Sequence, residues 1–148
     1  MIPEKYSKIP LEFRVWDKFN NRYYYWDNLS DHKIPSNYTS CCDLEQFTGL
    51  YDKNAKKIYA GDIVKMYGVL EAIGGEFLGY DENGDVWMKD YIKDWVGVVV
   101  WQKYGARYMI LFEDKEQTTD FSGGTSNIEV IGNLHENAGL LPKGENNG

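Results

Sequence analysis

The chain has 148 residues and a formal net charge of −7 at pH 7, and its aromatic residues include 12 Tyr and 5 Trp. This length suits one domain, or one domain with an appendage, and can bury an adequate core. The negative charge disfavours binding to duplex nucleic acid, because phosphate neutralisation supplies most of the affinity of such complexes. No apolar run approaches the roughly 18 residues of a membrane-spanning helix. The N-terminus also lacks the basic-then-apolar order of a signal peptide, so we expect a cytoplasmic protein.

The N-terminal part of the chain predicts a β-hairpin. Apolar and polar side chains alternate from Leu11 to Trp16, which is typical of a half-buried strand. A polar turn follows, and the four aromatic residues 23–26 predict the returning strand. Because successive side chains point to opposite faces, the four rings cannot all face one core. We therefore expect at least one face to expose rings or to have them covered by another part of the protein. Residues 28–45 show little apolar periodicity and predict an irregular linker.

The segment 46–64, QFTGLYDKNAKKIYAGDIV, predicts a hairpin and the corner that opens a small barrel. Asp52 and Asn54 belong to residue types that hydrogen-bond their own backbone in tight turns. Gly49 and Gly61 mark positions where we expect a positive φ or the close approach of another chain segment.

Short strands separated by turns follow. We predict strands at Ile63–Tyr67, Glu76–Tyr80, Val86–Tyr91, Val96–Trp101, Arg107–Phe112 and Ile128–Ile131. Asn-Gly at positions 83 and 84 is the strongest hairpin signal in the chain. Residues 113–120 predict an acidic loop, and residues 133–141 predict a helical turn.

This pattern predicts a mainly β fold, with a β-rich α+β fold as the alternative. We expect an SH3-like small β-barrel with an N-terminal β-hairpin appendage. The predicted division is a hairpin and linker at 1–45, a barrel domain at 46–141 and a disordered tail at 142–148. The residues expected in the barrel core are Phe47, Ile63, Val98, Val100, Ile110, Phe112, Val130 and Ile131.

Four blocks of the sequence resemble the YopX family, small proteins carried by phages and prophages of Gram-positive bacteria. The blocks are Phe13–Asp17, the segment 46–64, Gly97–Trp101 and the segment 128–137, and they occur in the family's order. The resemblance points to the same small barrel and implies no established activity. One position departs from the family pattern, because Ala55 stands where the family usually has the glycine of an Asn-Gly turn. A Cβ in the left-handed region costs roughly 1 kcal/mol, so we expect a turn of a different type here.

The sequence predicts no catalytic or metal site. Cys41 and Cys42 are adjacent and are the only cysteines. Their Cα atoms are about 3.8 Å apart, below the usual disulfide range. A zinc site would need His32 and His135, which lie far from any standard ligand spacing. No glycine-rich phosphate motif occurs, so we predict no metal, no cofactor and no enzymatic activity.

Cations interleaved with aromatic rings are the remaining functional signal, and they occur in two places. Such sets complete a core, contact another protein or stack nucleobases, and the sequence leaves these three alternatives open. The candidate binding residues are Arg14, Trp16, Tyr23, Tyr24 and Trp26 in the hairpin, and Trp101, Tyr104 and Arg107 farther along the chain.

The resulting hypothesis is a non-enzymatic phage or prophage accessory protein, a binding or assembly module. Its expected partner is another protein or a second copy of the chain in a homo-oligomer, and the surface expected to meet it is the N-terminal hairpin with its aromatic residues 23–26. The alternative is an acidic counter-defence protein that inhibits a host nucleic-acid enzyme through a DNA-like surface or sequesters a nucleotide signal. The acidic residues that motivate this alternative are Asp81, Glu82, Asp85, Asp90, Asp94, Glu113, Asp114, Glu116 and Asp120.

Overall fold

The computed structural model describes residues 12–25, 42–70, 76–89, 92–112 and 117–143. Their regular structure is almost entirely β, which confirms the predicted fold class. The strands are β1 (Phe13–Asp17), β2 (Arg22–Tyr25), β3 (Cys42–Tyr51), β4 (Lys57–Tyr59), β5 (Asp62–Leu70), β6 (Glu76–Tyr80), β7 (Val86–Lys89), β8 (Ile92–Gln102), β9 (Arg107–Phe112), β10 (Gln117–Asp120) and β11 (Ile128–Asn133). The predicted helical turn near the C-terminus is a short 3-10 turn, Ala138–Leu140.

The strands form two antiparallel sheets and a separate hairpin. The first sheet has the order β2-β1-β3-β4, and the second has the order β10-β9-β8-β5-β11. The second sheet is curled into a half-barrel, in agreement with the small barrel that the sequence predicts. Strands β6 and β7 pair with each other, and they lie in the chain between β5 and β8.

Two predicted irregular segments contain strands. Strand β3 begins at Cys42, inside the predicted linker, and strand β10 lies inside the predicted acidic loop. Both sequences lack a clear apolar alternation, and their pairing with β1 and β9 supplies the backbone hydrogen bonds that fix them as strands. The predicted boundary between residues 45 and 46 lies within β3, so hairpin and barrel share a strand. The division into domains stays a prediction.

The core follows the two faces of β8. Val99 belongs to the larger cluster, whose buried members are Ile58, Val64, Val99, Ile110, Phe112, Ile128 and Val130. Val98 points to the other face and packs with Ile63 and Leu141. Of the predicted core residues, only Val100 and Ile131 are half-buried, and both lie against this smaller cluster. The smaller cluster has three buried members, against seven in the main cluster.

Two turns in the chain have the same hydrogen-bond pattern. Asp52 Oδ1 accepts the backbone N–H groups of residues 54 and 56 at 2.8 and 2.9 Å. Asp81 Oδ1 accepts those of residues 83 and 85, both at 2.9 Å. The fourth residue is left-handed in each turn, with φ 62° at Ala55 and 80° at Gly84. The expectation of a different turn type at Ala55 is therefore wrong, and the alanine adopts the conformation of the usual glycine.

Asp52 also joins the first turn to the half-barrel. Its Oδ2 accepts the backbone N–H of Val130 at 2.9 Å, and the N–H of Lys53 donates to the carbonyl of Ile128 at 2.8 Å. Ile128 and Val130 belong to β11, which is an edge strand of the second sheet. The turn at 52–56 therefore supplies hydrogen bonds to this edge that a further strand would otherwise make.

Candidate functional site

Arg14 lies on β1 with its guanidinium buried between two buried carboxylates. Its Nε and Nη2 atoms donate to the carboxylate of Glu45 at 3.3 and 3.5 Å, and Nη2 lies 2.7 Å from Asp62 Oδ1. Burial disfavours the charge of Arg14, but Asp62 and Glu45 outweigh burial and raise the pKa of Arg14. Burial raises the pKa of Asp62, with Arg14 opposing this shift. Two carboxylates thus share one cation.

Two tyrosine rings enclose the guanidinium. The Arg14 Cζ atom lies 4.3 Å from the ring centroid of Tyr23 and 4.7 Å from that of Tyr59. The Tyr23 hydroxyl donates to Glu45 Oε1 at 2.7 Å. Burial raises the pKa of Tyr23; Arg14 opposes the shift, and the hydrogen bond to Glu45 reinforces it. Burial raises the pKa of Tyr59 as well. Both phenols are held in the neutral form.

Trp16 connects this group to the segment that follows β11. Its ring stacks on His135, with centroids 4.8 Å apart and planes at 9°. Tyr23 meets Trp16 edge to face at 4.9 Å. His135 Nε2 lies 3.8 Å from Glu45 Oε1 and 3.9 Å from Asp43 Oδ2. The stacked rings therefore fix residues after β11 against the first sheet.

We call this set the junction cluster: Arg14, Trp16, Tyr23, Glu45, Tyr59, Asp62 and His135. It brings together residues from three of the four blocks that resemble the YopX family. Two open clefts of about 260 and 320 Å³ lie beside it and share Arg14, Tyr25 and Lys56 in their walls. Lys57, which also lines the smaller cleft, is paired with Glu12. The charged groups of the cluster bind one another. The cluster therefore has a structural role, which is to connect the two sheets.

The other predicted residues of the hairpin do not enter this cluster. Tyr24 points to the opposite face of the sheet from Tyr23, as the strand alternation requires, and it lies under the guanidinium of Arg22 at 4.7 Å. Trp26 lies outside the described residues. Tyr25 returns to the face of Tyr23, and its side chain is 42% exposed. The predicted hairpin set is thus divided between two faces, with Arg14 and Trp16 buried.

The second predicted group stands at the end of the β8–β9 ladder. We call residues 101–107 the aromatic turn. Trp101 is 54% exposed, and its ring meets that of Tyr108 edge to face at 4.9 Å. Tyr104 is 97% exposed. Arg107 donates to Gln102 Oε1 at 3.3 Å and pairs with Asp120 Oδ2 at 3.2 Å. The three residues thus belong to one exposed turn, but Trp101 pairs with Tyr108 and Arg107 with Gln102 in adjacent positions of the ladder, so their side chains point to opposite faces.

Sequence reasoning did not identify the acidic members of the junction cluster. Glu45 lies in the stretch predicted to be irregular, where nothing in the residue pattern marks a buried carboxylate. Asp62 directly precedes the predicted strand Ile63–Tyr67, and an acid next to a predicted buried strand is the only available signal. The rings near Arg14 in the hairpin mark this residue as a binding candidate. Its two carboxylate partners, however, are brought to it by tertiary pairing, which the local sequence does not show.

Two further findings concern the described residues only. They contain no group of three or more His, Cys, Asp or Glu side chains arranged to hold a metal ion. Nor does any helix in these ranges have the length and apolar character needed to span a membrane.

Comparison with known proteins gives a family and a fold. No curated protein matches the chain. Among solved structures, the chain is similar to the protein EF1440 from Enterococcus faecalis, with 19% sequence identity and a TM-score of 0.53. The similarity covers 91% of this chain and 100% of that chain, and it shows a shared fold. The sequence matches the family described as YopX protein over residues 12–142. This match spans most of the sequence, and the chain belongs to the YopX family.

Proposed function

We propose that the chain is a non-enzymatic accessory protein of a phage or prophage that acts in the bacterial cytosol by binding another protein chain through the aromatic turn. The observation that carries this proposal is Trp101, a large apolar residue that is 54% exposed in the same turn as Tyr104, which is 97% exposed, with the cation Arg107 at the end of the turn. Trp, Tyr and Arg are the residue types most enriched in protein–protein contacts and at their energetic centres.

The aromatic turn is also held in place before any partner binds. Trp101 lies directly opposite Tyr108 in the β8–β9 ladder, and Tyr108 packs against the main core cluster. The ion pair with Asp120 and the hydrogen bond to Gln102 restrain Arg107. A preorganised contact surface loses less conformational entropy on binding, so more of its contact energy appears as affinity.

The junction cluster is a weaker candidate for the contact surface. Arg14 and Trp16 are buried, and the carboxylates near Arg14 already accept its hydrogen bonds. A partner would have to replace these contacts in order to bind there. The cluster supports the proposal indirectly, because it holds the first sheet and the residues after β11 in one arrangement.

The acidic alternative finds less support among the described residues. Asp94 pairs with Lys65, and Asp120 pairs with Arg107. Asp81 closes its own turn by accepting two backbone N–H groups. Carboxylates that take part in local contacts are poorly suited to a free row of charges that imitates phosphates. Asp90, Glu113, Asp114 and Glu116 lie outside the described residues.

The test is affinity purification from lysogenic host cells that carry a tagged chain together with an untagged copy. We expect a protein to co-purify in stoichiometric amount with the wild type, with little duplex DNA because of the −7 net charge. We expect Trp101→Ala and Tyr104→Ala to lose this protein. Phe19→Ala is the matched control, because Phe19 is 81% exposed in the turn between β1 and β2. Retention of every co-purifying protein by Trp101→Ala would refute the proposal.

A further inference from the structure

The aromatic turn has a counterpart of opposite charge in the same chain. We call residues 80–85 the acidic turn; it joins β6 to β7 and carries Asp81, Glu82 and Asp85. Its residues are exposed, and Tyr80, the first of them, is 69% exposed. The aromatic turn carries Lys103 and Arg107, both exposed. Each turn therefore combines exposed aromatic surface with charge, and the two charges are opposite in sign.

The two turns belong to different hairpins, the acidic turn to β6–β7 and the aromatic turn to β8–β9. The β5–β8 pairing ends at Leu70 and Ile92, where the chain leaves for the β6–β7 hairpin. The aromatic turn begins at the other end of β8, which has 11 residues. Within the described part of the chain, none of the ion pairs joins the two turns. Their complementary charges can therefore be matched by a second molecule.

The side chains available for such a contact are those not used to build the turns. In the acidic turn, Asp81 accepts two backbone hydrogen bonds, which leaves the exposed Glu82 and Asp85 on its surface. In the aromatic turn, Arg107 is paired with Asp120, which leaves Lys103 as the other exposed cation of the turn.

We infer that the acidic turn of one copy binds the aromatic turn of a second copy, so that the chains associate head to tail. This inference rests on the proposed function, since it names the partner of the aromatic turn. A contact between two different patches is heterologous, and it forms a ring or an open filament depending on the rotation between copies. The opposite charges select the pairing, and the exposed rings supply apolar area.

The experiment is sedimentation of the purified full-length chain over a range of concentrations. We expect the average mass to rise with concentration at about 50 mM salt and to fall at about 200 mM, because the Debye length shortens over that range. The double variants Lys103→Glu with Arg107→Gln, and Glu82→Lys with Asp85→Lys, should each associate at least about tenfold more weakly. An equimolar mixture of these two variants should associate again, because the acidic turn of the first then meets the aromatic turn of the second.

Restoration in the mixture also shows that both double variants are folded. A wild-type chain that remains monomeric throughout overturns the inference, and so does association that the double variants leave unchanged. Either result is distinguishable from failure of the proposed function. A monomeric chain whose capture of another protein still depends on Trp101 contradicts head-to-tail association and leaves protein binding by the aromatic turn intact.

Discussion

The Oδ2 atom of Asp52 makes a measurable contribution to the free energy of unfolding. Asp81, which forms the same kind of turn, provides a control within the chain. Replacing Asp52 by Asn keeps one carbonyl oxygen for the turn, but an amide group then faces the N–H of Val130, which donates to Oδ2 in the native protein. A buried donor left without a partner costs about 1–3 kcal/mol, so we expect Asp52→Asn to lower the free energy of unfolding by about 2 kcal/mol. Asp81 forms the same turn in an exposed position. We therefore expect Asp81→Asn to change stability by less than about 0.5 kcal/mol.

Urea denaturation followed by tryptophan fluorescence measures both variants. We expect the midpoint to fall for Asp52→Asn with little change in the denaturant slope. Burial opposes ionisation of Asp52, but the N–H groups of Val130, Lys56 and Asn54 outweigh burial and lower the pKa of Asp52 below 3.8. The stabilisation from this group is present above pH 3.8 and is lost as pH falls through the lowered pKa, because the unfolded state then binds the proton more readily. The wild type should thus lose more stability on acidification than Asp52→Asn does. Equal destabilisation of the Asp52 and Asp81 variants would refute the role assigned to the Val130 hydrogen bond.

Four further variants test the turns and the junction cluster by the same unfolding measurement. Ala55→Gly should raise the free energy of unfolding by roughly 0.5 kcal/mol, because relief of left-handed strain outweighs the added entropy of the unfolded chain. Gly84→Ala should lower the free energy of unfolding. Changes of the same sign in the two variants would contradict the role of backbone strain. Gly61→Ala should cost more than about 2 kcal/mol, because φ is 86° and a Cβ would collide with the Glu45 carboxylate; a neutral result would be incompatible with that packing. Burial, with the hydrogen bond to Glu45, raises the pKa of Tyr23 above 10.0, so the unfolded state loses this proton first and stability falls as pH rises through 10. Tyr23→Phe should weaken this loss of stability above pH 10. An unchanged slope of stability against pH would count against the raised pKa of Tyr23.

Local chemistry predicted the parts of the fold that depend on local signals. The Asn-Gly turn, the continuous strand through Val98 and Val99, and the positive φ at Gly49 and Gly61 all appear where the sequence indicates them. Strand β3 was partly missed because its first residues have no alternating pattern and become a strand only by pairing with β1. Ala55 shows the same limit, since the hydrogen bonds made by Asp52 outweigh its local preference.

The candidate sites were predictable to a smaller extent. Spacing on one hairpin suggested that Arg14, Trp16 and Tyr23 lie together, and they do. Their burial depends on Glu45, Asp62 and His135. These residues follow Arg14 in the chain by 31, 48 and 121 positions. By contrast, the aromatic turn is formed by neighbouring residues at the end of a hairpin, which is why sequence alone grouped them.

The most direct test of the aromatic turn as the contact surface is oxidative footprinting of the chain, alone and in the complex purified from cells. We expect Trp101 and Tyr104 to become protected in the complex, since both are largely exposed in the single chain. Phe19, exposed at a different turn, should react equally in both states. Protection of Phe19 or Tyr25 with unchanged reactivity of Trp101 and Tyr104 would place the contact elsewhere and contradict the account.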